Sequence, residues 1–247
     1  MLEHSAFFVY TILDQHLVSF HVDTGGFRMT RVLLNVGCGQ TRPLNLINTD
    51  CSLNSHLQRI ALLKWFLVKC LRKVEYSQSN VRYMNLNKAW PFQTASVDVV
   101  YGSHIFEHLN RASAKLFLEE SFRVLRPEGV IRLVVPDLNE LCKNYIRGFQ
   151  AGDSVAAEKL LTIVNMHQDG AYGSKRSRLE SWLHSLQGYP HQHKYMYDQL
   201  SLAYLLGGAG FKLTLPKRYA ESELIPEIRE VEATAEGVSA IYLEARR

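Results

Sequence analysis

At 247 residues, with 47% apolar and 21% charged positions, the chain has the balance of an ordinary globular protein and is long enough to bury a sizeable core without staples. The net charge of +4 permits an acidic partner without pointing to one, because a nucleic-acid binder usually carries a denser basic footprint. Four scattered cysteines (Cys38, Cys51, Cys70, Cys142) with no CxxC disfavour a disulfide or zinc framework and suit free thiols in a reducing cytoplasm.

The N-terminal segment lacks the basic region and small-residue cleavage site of a signal peptide. No apolar run reaches the about 20 residues that a membrane span needs. Met29 stands just before the first strong strand signal. Residues 1–28 therefore read as an N-terminal extension from an upstream start codon, with a modest helix or strand of its own, and 29–247 as one domain.

Val32–Val36 is a short apolar run ending on glycine, the pattern of a buried parallel strand. Leu44–Thr49 is a second strand candidate. Ser52–Val74 has apolar residues at helical spacing and a basic opposite face, the ordinary look of a solvated helix. Val81–Leu86 and Val97–Tyr101 read as strands. Ala112–Leu125 is an amphipathic helix stopped by Arg126-Pro127-Glu128-Gly129. A strand at Val130–Val135 and a helix at Leu138–Phe149 follow. Residues 150–190 read as part of an inserted helical lobe, about 138–200, with a polar loop at Gly170–Arg178. A helix at Tyr197–Leu206 closes on Gly207-Gly208, and Phe211–Leu215 and Val238–Glu244 are the last strands. Strands alternating with helices imply a parallel sheet, with ligands at the carboxyl ends of its strands.

Gly37-Cys38-Gly39 sits at such an end. Two glycines let the chain turn sharply and let a ligand approach the backbone; a plain tight turn uses them equally well. The dinucleotide fingerprint needs a third glycine where Arg42 stands, which disfavours an NAD enzyme. Asp50, ending the next strand, has the chemistry to accept both ribose hydroxyls of a nucleoside, or to cap the following helix.

The stretches LLNVGCGQ, INTD, LNKAWPFQTASVDVVYGSHIFEHL and SFRVLRPEGVIRLVVPDL, followed by HQHKYMYD and LLGGAGF, together resemble a class I S-adenosylmethionine (SAM)-dependent methyltransferase. The nearest subgroup is the methyltransferase type 11-like family, in particular compact members that accompany polysaccharide biosynthesis genes. The resemblance spans about residues 31–215. It implies an α/β, Rossmann-like, doubly wound and mostly parallel sheet of seven strands with a helical insertion, and SAM as cofactor. Carried over, Gly37, Cys38 and Gly39 pass beneath the methionine part of SAM and Asp50 grips the ribose. Asn85 and Leu86 hold the adenine, and Ser103 and His104 line the methionine end. The chain departs from the pattern in three places. About ten residues separate Gly39 from Asp50, so the usual intervening helix is very short or absent; Asn85, which can still pair with an amino group, stands where the wider family has an acid; and Glu128 replaces a glycine.

The cofactor brings the reactive methyl, so the protein mainly aligns the acceptor. A hydroxyl or amine acceptor also has a proton to lose, which suits histidine. The candidates are His104, His108, His191 and His193, with His104 best placed. His191-Gln192-His193 is weak evidence for a metal without a third ligand, and no metal is expected. A polar closing loop or a substrate role fits those histidines as well. Glu107 caps a helix or pairs with a neighbour, and Asp137 reads as a helix N-cap. Tyr145, Tyr172, Trp182, Tyr189, Tyr195 and Tyr197 offer an acceptor wall or plain packing. Lys175, Arg176 and Arg178 offer a phosphate contact or a solvated loop. The expected activity is methyl transfer to a small-molecule or glycan acceptor, in the cytoplasm. The alternatives are a non-catalytic SAM-binding partner protein and an RNA methyltransferase. Acceptor identity and oligomeric state are not encoded in any motif.

Overall fold

The computed structural model describes residues 8–13, 16–23, 26–29, 31–39, 41–51, 81–164, 192–232 and 239–247, the first three stretches as backbone only. The expected helix at 52–74 and the loop at 170–178 lie outside these residues, as do His191, Tyr172, Trp182 and Tyr189. The chain divides into two compact units, Met1–Val32 and Leu33–Arg247.

In the first unit, three strands rich in β-branched and aromatic residues form an antiparallel meander. They are β1 (Phe8–Leu13), β2 (His16–Asp23) and β3 (Gly26–Met29). Leu13 pairs with His16 and Asp23 with Gly26 where the strands turn back. Of the helix or strand expected here, the segment takes strand.

The second unit is built on a seven-stranded sheet in the order β6-β5-β4-β7-β8-β10-β9. Its strands are β4 (Leu33–Val36), β5 (Ile47–Asp50), β6 (Val81–Tyr83), β7 (Val97–Ser103), β8 (Leu125–Pro136), β9 (Lys212–Lys217) and β10 (Ala240–Arg246). The pairs from β6 through β8 are parallel, and β10 runs antiparallel to both of its neighbours. The order reverses between β4 and β7, so the crevice for a ligand opens at the carboxyl ends of these strands. Strand β4 is buried along its whole length, as its nearly continuous apolar run, interrupted only by Asn35, requires.

The helices among the described residues are α1 (Arg111–Val124), α2 (Leu138–Gln150), α3 (Ala156–Val164), α4 (Gln199–Gly208) and a single turn, α5 (Ile228–Val231). Alternate residues of β7 face opposite sides of the sheet. Val99 and Tyr101 join Leu33, Val130 and Val134 in a core closed by Ile225, Ile228 and Val231. On the other face a Cβ at Gly102 would lie 3.3 Å from Phe117 and Leu133, so α1 packs directly on the strand. Helices α2 and α3 pack on each other, and Leu141 and Val164 bury Met196 between them. The Arg126–Gly129 stop is absorbed into the start of β8, and Glu128 holds the left-handed conformation (φ 64°) that a glycine would adopt at no cost.

The C-terminal segment is seated by a buried charge cluster. Arg132, fully buried on β8, donates to Glu232 at 2.8 and 2.7 Å, to Glu244 at 2.7 Å, and to the carbonyls of Arg218 and Glu221. A charge inside the apolar run VIRLVV is its only mark in the sequence.

Candidate active site

The glycine corner forms at the ends of β4 and β5. Gly37 and Gly39 both have positive φ, 66° and 51°. A Cβ on Gly37 would come within 2.6 Å of Ile105, so only glycine fits there. At Gly39 no described atom lies within 4 Å of the Cβ position, which leaves the backbone open to a ligand. The Gly39 N–H donates to Asp50 Oδ2 at 3.1 Å, and Cys38 N–H to the Thr49 carbonyl at 2.9 Å. Burial pushes the Cys38 thiol up to about 11, with Asp50 adding to it, so the group stays protonated and serves as a small apolar wall.

Among the described residues 41–46 there is no helix between β4 and β5, as the short spacing implied. Two buried asparagines hold the connection in its place. Asn35 Nδ2 donates to the Thr41 carbonyl at 3.0 Å and to Asn48 Oδ1 at 2.9 Å. Asn48 Nδ2 in turn donates to the carbonyls of Pro43 and Leu46 at 2.8 and 3.2 Å. Arg42, where a third glycine was missed, clamps the Gly39 carbonyl through Nε at 2.8 Å and Nη2 at 2.7 Å. None of these three roles was read from the sequence, although an asparagine within each apolar strand was a visible signal.

Next to this corner, the Met84 N–H donates to the Asp50 carbonyl at 3.1 Å and carries the chain on to Asn85 and Leu86. Asn85 Oδ1 accepts from Asn87 N–H at 2.9 Å, closing a local turn, and Leu86 is buried. Ser103, ending β7, hydrogen-bonds the Tyr101 phenol, whose burial raises its pKa.

The histidine corner begins one residue further on. His104 has φ 49°, a left-handed backbone that costs a side-chain-bearing residue about 1–2 kcal/mol. Its N–H is tied to the Val134 carbonyl at 2.9 Å. Its Nδ1 lies 3.2 Å from Oε1 of Glu107, which is fully buried. Glu107 thus pairs with a neighbour, within a 3-10 turn at Phe106–His108. Asp137 caps α2, accepting from Asn139 and Glu140 N–H.

Residues 192–197 dock back onto this turn through their backbone. The N–H groups of Lys194 and Tyr195 both donate to the Glu107 carbonyl, at 2.7 and 3.1 Å, and His108 Nδ1 lies 3.2 Å from the Gln192 carbonyl. The docking brings His193 edge-on to His108, with ring centroids 4.9 Å apart. Burial holds the His193 imidazole below its ordinary pKa; Glu107 opposes this, while His108 and His104 reinforce it. His104, Glu107, His108 and His193 therefore form one cluster, and the sequence spacing gives no hint of its long-range half. Of the aromatic residues, Tyr197 is buried against Phe106 and Tyr145 pairs with Phe149, so both are packing residues. Tyr195 stays partly exposed under the Arg111 guanidinium, 3.7 Å from its ring centre.

Residues 34–133 match the family described as "Methyltransferase domain". Solved structures similar to this chain include SAM-dependent methyltransferases from three organisms. The one from Thermotoga maritima is 15% identical over 87% of this chain and 81% of that one, with a TM-score of 0.44. The one from Archaeoglobus fulgidus is 14% identical over 88% and 86%, with a TM-score of 0.43. The one from Mesorhizobium loti is 11% identical over 87% and 90%, also with a TM-score of 0.43. No helix among the described residues is long and apolar enough to cross a membrane. The family match thus gives residues 34–133 the likeness of a methyltransferase domain, laid on a sheet that reverses order beside a glycine corner, and it supports an enzyme that uses S-adenosylmethionine as cofactor.

Proposed function

We propose that the chain methylates a small-molecule or glycan acceptor, with a methyltransferase domain over residues 29–247, a helical insertion at about 138–200, and a cytoplasmic location in keeping with free Cys38, Cys51 and Cys142. Gly37, Cys38 and Gly39 support the methionine part of the cofactor, Asp50 holds the ribose, and Asn85 with Leu86 flanks the adenine. Ser103 sits at the methionine end. The observation that carries this reading is the glycine corner. Gly39 offers an open, left-handed backbone, and its N–H is bonded to the carboxylate that would receive the ribose. A nucleoside with vicinal hydroxyls and a slender chain fits such a corner; a phosphate would meet the Asp50 carboxylate and, among the described residues, no helix N-terminus.

Bound there, SAM supplies an electrophilic methyl group on a sulfonium. The chain's own part is to hold the acceptor in line and to remove a proton from it. His104 is the base. Glu107 orients it through Nδ1, which leaves Nε2 to accept the proton from the acceptor. The left-handed backbone at His104 is a strain that the fold retains at the site where the imidazole is used. His193 stands on the acceptor side, and His191, its neighbour in sequence, is the third histidine assigned to the acceptor.

Calorimetry of SAM and S-adenosylhomocysteine on the wild type and on Asp50→Ala tests the cofactor site. Micromolar binding that the substitution weakens by about 10- to 100-fold is the expected result, and it opens an acceptor screen beginning with sugars and sugar nucleotides. A well-folded wild type that binds neither ligand overturns the reading.

A further inference from the structure

Glu107, His108 and His193 each offer one ligand atom, and the three atoms lie within 4.8 Å of one another. We propose that they form a binding site for one divalent transition-metal ion of the zinc type, beside His104. The metal site stands on its own geometry; only its part in methyl transfer rests on the reading above.

All three groups present acceptor atoms. His108 spends Nδ1 on the Gln192 carbonyl, so that nitrogen carries the proton and Nε2 carries the lone pair. His193 hydrogen-bonds the Val164 backbone, while its Nδ1 is buried with no hydrogen-bond partner among the described residues. Glu107 gives Oε1 to His104, and its Oε2 is likewise buried with no partner among the described residues. Three lone-pair-bearing groups converge here, and two of their buried atoms, His193 Nδ1 and Glu107 Oε2, have no partner among the described residues, an arrangement that costs free energy unless a cation or proton enters. Backbone carbonyls on the distal histidine nitrogens are the outer contacts that fix a metal-binding tautomer.

The dimensions fit. The centre of a triangle with 4.8 Å sides is about 2.8 Å from each corner, so each ligand atom moves at most about 0.7 Å to reach a zinc bond of about 2.1 Å. Two imidazoles and one carboxylate are a catalytic zinc set, with a position left over for substrate. An acceptor hydroxyl placed there is acidified by the ion and passes its proton to His104. Its oxygen then forms the bond to the methyl carbon as that carbon's bond to sulfur breaks.

The test uses the full chain, stripped with a chelator and titrated with Zn2+ and, separately, with Co2+. Expected are one ion per chain and a visible Co2+ spectrum of a four- or five-coordinate site. His193→Ala and His108→Asn, checked for fold by circular dichroism, should each weaken Zn2+ binding by about 100-fold or more. Wild-type protein that takes up no stoichiometric Zn2+ overturns the site whether or not the variants fold, as do folded variants that bind like the wild type. S-adenosylhomocysteine calorimetry on the same samples separates the two ideas. Zinc without cofactor binding upholds the site and sinks the methyl-transfer reading; cofactor binding without zinc does the reverse.

Discussion

The glycine corner and the histidine corner lie at the ends of neighbouring strands, β4 and β7, and are assembled in opposite ways. Gly39 and Asp50 are 11 positions apart and joined by one hydrogen bond. His108 and Gln192 are 84 positions apart and meet only because a distant segment folds back. The first corner is a local device whose parts are ordered in the chain as they are in space. The second has a local half, His104 and Glu107, and a half delivered by packing of Met196 between α2 and α3. A motif can announce the first kind of site; the second kind has to be folded before its members become neighbours.

Four substitutions probe that contrast, from the largest expected effect to the smallest. His104→Asn keeps a donor for Glu107 and tolerates the left-handed backbone, but it cannot serve as the base. Single-turnover transfer to the acceptor should fall by about 100- to 10,000-fold while S-adenosylhomocysteine affinity is unchanged. A parallel loss of affinity would mean that the two corners are one unit. Asp50→Ala removes the charged partner of Gly39 and of the ribose. Calorimetry should show cofactor binding weakened by about 10- to 100-fold, with hydrogen bonds to a charged group worth about 1.5–3 kcal/mol.

Asn48→Ala takes away the amide that holds the Pro43 and Leu46 carbonyls and leaves Asn35 short of an acceptor. Urea unfolding should report a loss of about 1–3 kcal/mol. Cofactor affinity should drop several-fold as the glycine turn loosens, and unchanged affinity would show that Arg42 alone holds the turn. Glu128→Gly touches neither corner. It relieves a positive φ at the cost of an exposed ion pair with Arg246, so the same unfolding assay should show a gain of about 0.5–1 kcal/mol, with cofactor binding untouched.

How much of this was legible in the sequence differs element by element. The strand at Leu33–Val36 and the helix at Arg111–Val124 were read within a residue or so, because a nearly continuous apolar run and a helical periodicity with a proline–glycine stop leave few alternatives. The strand expected at 44–49 begins only at Ile47, because Pro43 and Leu46 are spent as loop carbonyls on Asn48. Asp137 declared its capping role through its place before a helix. Glu107 did not declare that it is fully buried, since a carboxylate in GSHIFEHL looks the same whether it caps, solvates or orients.

By itself, the order of residues determined the strand and helix pattern, the glycine turn, Asp50 at the next strand end and the resemblance of residues 34–133 to a methyltransferase domain. These rest on interactions within a few positions of the chain, where spacing and chemistry are the same information. The tertiary structure alone decided that Asn35 and Asn48 stand in for a missing helix, that Arg132 seats the C-terminal segment, and that His193 reaches Glu107 and His108. Each of those depends on burial and on contacts between distant segments, and a sequence carries neither distance nor solvent until it has folded.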